Sequence, residues 1–213
     1  MKNIIFSIFL VLISIIGCTE NAKILNGNKE EQFLTIDSST GTLYYRNIPY
    51  TGIYEYYHEN GQPELIGYYF NGKENGVWKT FYGNRQLLSE GSFLNGKKHD
   101  FWVWYHENGQ IELKGSYFYG ERVGDWEYRY DNGTQRFWGT YLNGKPMGEF
   151  EYYNEHGKPI SRGSYLYGKK DGIWEYYDKD GKLIKEIEHS SEENSLFQAD
   201  IMDYESQNVP FNQ

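Results

Sequence analysis

A 24-residue period runs through this chain without insertion or deletion from Gly52 to Gly181. Glycine or a substitute recurs at Gly52, Gly76, Asp100, Gly124, Gly148 and Gly172, and two residues later stands a ring: Tyr54, Trp78, Trp102, Trp126, Phe150, Trp174. A second row reads Gly61, Gly109, Gly133, Gly157 and Gly181, with Arg85 in the gap; a third runs from Gly67 to Gly163 and a fourth from Gly72 to Gly168. One unit of this size is too small to bury an apolar face alone, so units must stack on one another. The pattern therefore predicts a repeat array with no single catalytic centre.

Each unit holds two runs of alternating aromatic and polar residues, as in Val77-Trp78-Lys79-Thr80-Phe81-Tyr82 and Gly91-Ser92-Phe93-Leu94. That composition and period favour strands. Asn60-Gly61, Asn108-Gly109 and Asn132-Gly133 separate the runs, and Asn71-Gly72, Asn95-Gly96 and Asn143-Gly144 separate the units. Asn-Gly tolerates the two positive φ angles of a tight hairpin turn. Taking Asn108-Gly109 as a two-residue turn predicts Glu107 opposite Gln110, Tyr105 opposite Glu112 and Trp102 opposite Gly115. The same count sets Tyr54 against Gly67, Trp126 against Gly139 and Phe150 against Gly163, each ring covering the bare glycine it faces. The leading glycines, such as Gly76 and Gly124, would ease close strand approach or a bulge. The expected fold is all-β: an elongated antiparallel meander of tandem 24-residue hairpins, with no helix, about eleven strands and about 50 Å long.

The two ends differ from the array. Lys2 precedes an apolar run from Ile4 to Ile16 that is shorter than the ~20 residues a spanning helix needs. A basic start and a short apolar stretch describe a signal peptide over residues 1–17. Ile15-Ile16-Gly17-Cys18 resembles a bacterial lipobox, which implies lipidation of Cys18, the only cysteine. Residues 18–43 read as the lipidated N-terminus and a flexible tether, residues 44–189 as the array beginning with a half repeat at Leu43 to Asn47, and residues 190–213 as an acidic, disordered tail. That tail carries Glu192, Glu193, Asp200, Asp203 and Glu205 and no Lys or Arg.

The formal charge of -9 resides mostly outside the array. No basic stripe is present to meet a phosphate backbone, so no nucleic-acid partner is expected. No nucleophile motif, phosphate loop or metal-ligand cluster stands in the sequence, so neither an enzyme nor a cofactor is expected. His58 and His106 share a phase but lie two repeats apart, roughly 19 Å along a sheet, too far to hold one metal ion. They read as polar strand ends beside turns. Glu55, Glu127, Glu151 and Glu175 recur at one phase as a solvated row, interrupted by Lys79. Tyr57, Tyr105, Tyr153 and Tyr177 alternate to the face opposite the Trp row and are the candidate binding-face aromatics.

The patterns Gly-x-Trp-x-x-Tyr-x-x-x-Gly from Gly172 to Gly181 and Gly-x-Tyr-x-x-Gly-Lys from Gly163 to Lys169 resemble the MORN repeat family. More closely they are similar to the bacterial variant found in YwqK-type antitoxins, over residues 44 to 188. The resemblance implies an elongated antiparallel sheet that binds a partner protein. It also implies, for some members, a role at membrane lipids, which the lack of net positive charge in this array does not support. The expectation is a lipid-anchored envelope protein, facing periplasm or cell surface, whose array scaffolds a protein partner. Two alternatives stand beside it: a module that stacks a cell-wall glycan on exposed aromatic rows, and an antitoxin-like partner of a toxin. A glycan module needs rings exposed at equivalent positions, whereas a scaffold needs a contiguous patch.

Overall fold

The computed structural model describes residues 24–189. The expected signal peptide, Cys18 and the tail at 190–213 lie outside the described residues. The chain enters through β1 (Ile24–Asn26), one helical turn α1 (Gly27–Glu30) and a 3-10 turn (Glu31–Phe33). A small antiparallel sheet follows, made of β2 (Leu34–Asp37), β3 (Thr42–Tyr45) and β4 (Ile48–Pro49). The array then alternates β5 (Gly52–Tyr57), β6 (Pro63–Phe70), β7 (Lys73–Phe81), β8 (Leu87–Leu94), β9 (Lys97–Tyr105), β10 (Ile111–Phe118), β11 (Glu121–Arg129), β12 (Gln135–Leu142), β13 (Lys145–Tyr153), β14 (Pro159–Leu166), β15 (Lys169–Tyr177) and β16 (Leu183–His189). From β5 to β16 every strand pairs antiparallel with the next in sequence, and β1 joins β5 in parallel. The result is one open sheet of 13 strands, two more than the sequence count, built as the expected meander.

The turns between units follow the Asn-Gly rule. Asn95 and Gly96 sit at φ 52° and 81°, and Tyr119-Gly120 and Tyr167-Gly168 take the same conformation without asparagine. The turns inside units do not. Gly109 N–H donates to the His106 carbonyl and His106 N–H to the Gln110 carbonyl, each at 2.8 Å. Of the loop residues Glu107, Asn108 and Gly109, only Gly109 has positive φ, at 85°. This is a three-residue loop, a type I turn closed by a left-handed glycine. Tyr105 consequently pairs with Ile111, where the sequence count gave Glu112. A bulge between Ile111 and Leu113 then restores the expected register, and Trp102 faces Gly115. The same correction recurs at Tyr57, Phe81, Arg129, Tyr153 and Tyr177. The leading glycines are sites of the anticipated bulge: Gly124 has φ 65°, and the β10–β11 ladder shifts register between Ser116 and Lys114.

The ring that faces a glycine inside its own unit is not the ring that covers it; the cover comes from the next unit's strand, where Gly91 also pairs with Trp102 and Gly139 with Phe150. A Cβ on Gly115 would lie 2.3 Å from Trp126 Cδ2, in the following unit, while Trp102 lies over Gly91. The inward lean is uniform, with Trp78 over Gly67, Phe150 over Gly139 and Trp174 over Gly163. Bulges place three residues of the later strand against one glycine, which frees the backbone to admit a ring from that side.

These rings make the core. An edge-to-face chain runs Tyr50, Tyr69, Trp78, Phe93, Trp102, Tyr117, Trp126, Tyr141, Phe150, Tyr165, Trp174, with centroids 4.9 to 6.4 Å apart. Each such contact contributes about 0.5–1.5 kcal/mol beyond area burial. Lys98, Arg122 and Lys170 lay their charged ends over Trp102, Trp126 and Trp174 at 4.4, 4.2 and 4.0 Å, and so roof a single-layer sheet that no second layer covers. Trp126 is thereby fully buried.

Residues 24–43 depart from the expected tether. Leu25 is fully buried in a cluster with Leu43, Tyr50, Tyr69 and Trp78. The Asn28 side chain accepts from Tyr57 N–H at 2.7 Å and donates to its carbonyl at 2.9 Å, prolonging the β1–β5 pairing. Apolar Ile24, Leu25, Phe33 and Leu34 thus close the first edge of the array. Tyr45 holds the phase of Tyr69 and touches Tyr50, so the half repeat continues the ring chain, although β3 belongs to the small sheet.

Candidate interaction surfaces

The face opposite the ring chain carries the phase of Glu55, Lys79, Val103, Glu127, Glu151 and Glu175. Some cross-strand neighbours there are of opposite sign, although Trp138 stands between Glu127 and Glu151 and Glu175 faces Glu186. Lys79 meets Glu90 at 3.1 Å and Lys114 meets Glu127 at 2.7 Å. Arg129 also grips Glu127, and Arg162 Nε donates to Glu175 at 2.5 Å. Burial pushes the Glu127 carboxyl up, but the two cations outweigh it and hold it below its ordinary value. In the row anticipated as solvated carboxylates, Glu127 and Glu175 are ion-paired, and Glu55 and Glu151 accept from tyrosine hydroxyls of their own units.

The four candidate tyrosines lie at the strand ends of this face, and each is half-buried. Tyr57 donates its hydroxyl to Glu55 and Tyr153 to Glu151, both at 2.5 Å, and Tyr177 donates to Glu175. These hydrogen bonds, with burial, push Tyr57 and Tyr153 up to about 12. Tyr105 has Val103, in place of a carboxylate, two residues before it; burial, then Glu90, raises it. Successive candidates stand two or four strands apart, about 10 Å or more, so they form separate posts and no common pocket. A shallow depression lies between two of the units, lined by Glu149, Glu151, Arg162, Ser164, Ile173 and Glu175.

The histidines cap strands, as their position predicts. His58 Nε2 lies 2.9 Å from the Phe81 carbonyl, and His106 Nε2 lies 2.8 Å from that of Arg129. A carbonyl only accepts, so Nε2 carries the proton in both. Tyr82 and Tyr130 make the same link to the next unit by their hydroxyls. Among the described residues no group of His, Cys, Asp and Glu is arranged to hold a metal ion.

A second surface escaped the sequence reading. Phe70, Leu94, Phe118, Leu142 and Leu166 end their strands just before the turns between units, and Val77, Phe101 and Ile173 follow those turns. Val77 pairs with Ser92 and Ser92 with His99, whose ring packs on Phe118, which places these residues on one face. Val77, Phe101, Phe118 and Ile173 are 59, 55, 57 and 58 % exposed. The strip is interrupted by Asp125 and Glu149 and edged by Lys97, Lys145 and Lys169. Its signal was present in the sequence as an apolar residue of constant phase on the side opposite tryptophan. It was hidden because a run of apolar residues beside a turn reads as core.

An open single-layer hairpin array whose described residues form no enclosed site defines a class of repeat protein in which binding spreads over neighbouring units. The MORN repeat variant family model matches residues 50–73, 102–118 and 170–190, three stretches whose phase agrees with the ladder of hairpins. No curated protein matches the chain. Among solved structures, the crystal structure of the GtfA/B complex bound to UDP and GlcNAc aligns at 11% identity over 81% of this chain and 32% of that one, with a TM-score of 0.19. The chain thus spans about a third of that protein's length, and a likeness of that size carries no argument about what this chain does.

Proposed function

We propose that this chain is a lipid-anchored envelope scaffold whose array docks a protein partner on the apolar strip beside the turns between units. The observation that carries the reading is the split between the two aromatic sets. The tryptophans of the ring chain are buried, whereas apolar side chains at Phe70, Val77, Phe101, Phe118 and Ile173 recur in register and stay exposed on the other face. Exposed apolar surface that repeats with the fold marks an interaction site. The glycan alternative draws no comparable support, since its candidates Tyr57, Tyr153 and Tyr177 are half-buried with hydroxyls engaged by carboxylates of their own units.

Anchoring rests on Lys2, the apolar run and Ile15-Ile16-Gly17-Cys18. Cys18→Ser should move the protein from the membrane to the soluble fraction; unchanged fractionation would end the anchor reading. For the scaffold, a photo-crosslinking residue placed at Phe101 should capture a partner in cells that one placed at Tyr105, on the candidate tyrosine row, does not. The paired substitution Val77→Asp and Phe101→Asp should abolish capture at Phe118 while leaving the circular dichroism spectrum intact. Capture from Tyr105 alone would transfer the site to the tyrosine row.

A further inference from the structure

Five of the six tryptophans pack within the aromatic face of the sheet, and Trp138 does not. Its chain neighbours Phe137 and Gly139 both face Phe150, so strand alternation turns the Trp138 indole to the opposite face, beside the apolar strip, where it is partly exposed. One row of directly paired residues crosses that face from β10 to β15: Lys114, Glu127, Trp138, Glu151, Arg162, Glu175. The signs run plus, minus, ring, minus, plus, minus. Trp138 thus stands where the alternation calls for a cation. Ile66 and Val103 interrupt the same row nearer its start, but each has a carboxylate on one side and a lysine on the other.

The carboxylates around the indole are short of cations. Lys114 and Arg129 are taken by Glu127, and Arg162 donates to Glu175. Among the described residues the ion pairs include none to Asp125, Glu149 or Glu151. Glu151 accepts from the Tyr153 hydroxyl, Asp125 accepts from Thr140 at 2.7 Å, and Glu149 is exposed in the bulge of β13 that faces Thr140. We propose that Trp138 receives an arginine side chain of the partner protein, its guanidinium stacked on the indole and its N–H groups turned toward Glu149 and Glu151. A guanidinium is planar, keeps its charge, and suits both a π face and a carboxylate, whereas a neutral occupant would leave the missing cation unsupplied. Asp125 and Glu149 are the residues that interrupt the apolar strip, so the interruption becomes part of the surface. β12 lies three strands from Phe101 on β9 and three from Ile173 on β15, about 14 Å each way. The partner therefore presents apolar groups to those two positions and a cation between them. The inference rests on the scaffold reading for the source of that arginine.

The experiment is a titration of the full chain followed by the tryptophan indole N–H resonances, with that of Trp138 assigned by its loss in Trp138→Leu. The probes are acetyl-Leu-Arg-Leu-amide, the same peptide with neutral citrulline in place of arginine, and chitotriose. The arginine peptide should move the Trp138 resonance at about fivefold lower concentration than the citrulline peptide, as an exposed cation–π contact gives, while the five other indole resonances stay in place and report an intact fold. Glu149→Gln with Glu151→Gln should remove the preference. Equal response to the two peptides would overturn the inference, and so would a preference that survives the double substitution. A Trp138 shift with chitotriose and none with the arginine peptide would overturn it as well and make the ring a sugar platform. Partner crosslinking at Phe101 tests the scaffold reading by itself: capture there without an arginine preference at Trp138 sinks this inference alone, and the preference without capture sinks only that reading.

Discussion

Gly115→Ala puts a methyl group where the structure has an indole. The added carbon would lie 2.3 Å from Trp126 Cδ2 and 2.4 Å from Cε2, so ring or backbone must yield by more than about 1 Å to reach ordinary contact. The ring has little room, since Tyr117 stands against it at 5.0 Å, Tyr141 and Trp104 at 6.1 Å, and Arg122 covers it at 4.2 Å. Overpacking of this kind costs about 1–3 kcal/mol. Gly115 does not use positive φ, so alanine also restricts the unfolded chain, which offsets about 0.4–1 kcal/mol. The net expectation is a loss of about 1–2 kcal/mol, measured by urea unfolding followed by far-ultraviolet circular dichroism. A double-mutant cycle decides the partner. Gly115→Ala should be relieved in a Trp126→Leu background and should add to Trp102→Leu within about 0.5 kcal/mol. Coupling to Trp102, or a stabilising Gly115→Ala, would refute the covering geometry and restore the simpler picture in which the hairpin partner fills the gap.

Trp102 Nε1 donates to the Ser92 carbonyl at 2.9 Å, whereas Trp126 Nε1 is buried without a hydrogen-bond partner; Trp102→Phe should therefore cost about 1 kcal/mol more than Trp126→Phe by thermal melting. Arg85 holds a left-handed φ of 74° where the other units carry glycine, and Arg85→Gly should raise the urea midpoint, the relief of about 1–2 kcal/mol of backbone strain exceeding the loss of its contact with Gln62. Tyr57 and Tyr153 keep their protons to about pH 12 against an ordinary 10.0, so the folded state binds protons that the unfolded state releases. Their contribution is complete below pH 10 and is lost as pH rises from about 10 to 12; absorbance titration at 295 nm should show Tyr57 and Tyr153 among a group of late tyrosines, and Glu55→Gln with Glu151→Gln should bring these two earlier.

The strand order and the unit length were legible because the glycine and aromatic rows repeat at a constant phase. The pairing of Trp102 with Gly115 was also legible, for a reason the residues conceal: a three-residue loop and a bulge at Glu112 shift the register in opposite senses and cancel. Which ring lies over which glycine was not, because pairing fixes who stands opposite and says nothing of the direction in which a side chain leans. The buried start at Leu25 was missed because one short apolar stretch among polar residues has no period to reveal it. For the surface, the phase of Tyr57 and Tyr105 correctly put them opposite the tryptophans. Their burial and their hydrogen bonds to carboxylates two residues away depend on strand ends that composition does not display.

A sheet whose every second strand repeats the same chemistry is also a ruler. Equivalent side chains such as Phe70, Leu94 and Phe118 fall two strands apart, a pitch of about 9.6 Å. Any partner that reads more than one mark must carry a matching spacing of its own. An α-helix offers about 10.5 Å between residues seven apart, and a polyproline II segment about 9.3 Å between residues three apart. An extended strand laid across the hairpins returns to the same face every two residues, about 6.6 Å, and falls out of step after the first mark. Adding or removing 24 residues changes how many marks the ruler has while leaving their interval untouched, so the length of this chain sets how much of a partner is gauged and the backbone hydrogen bond sets the scale.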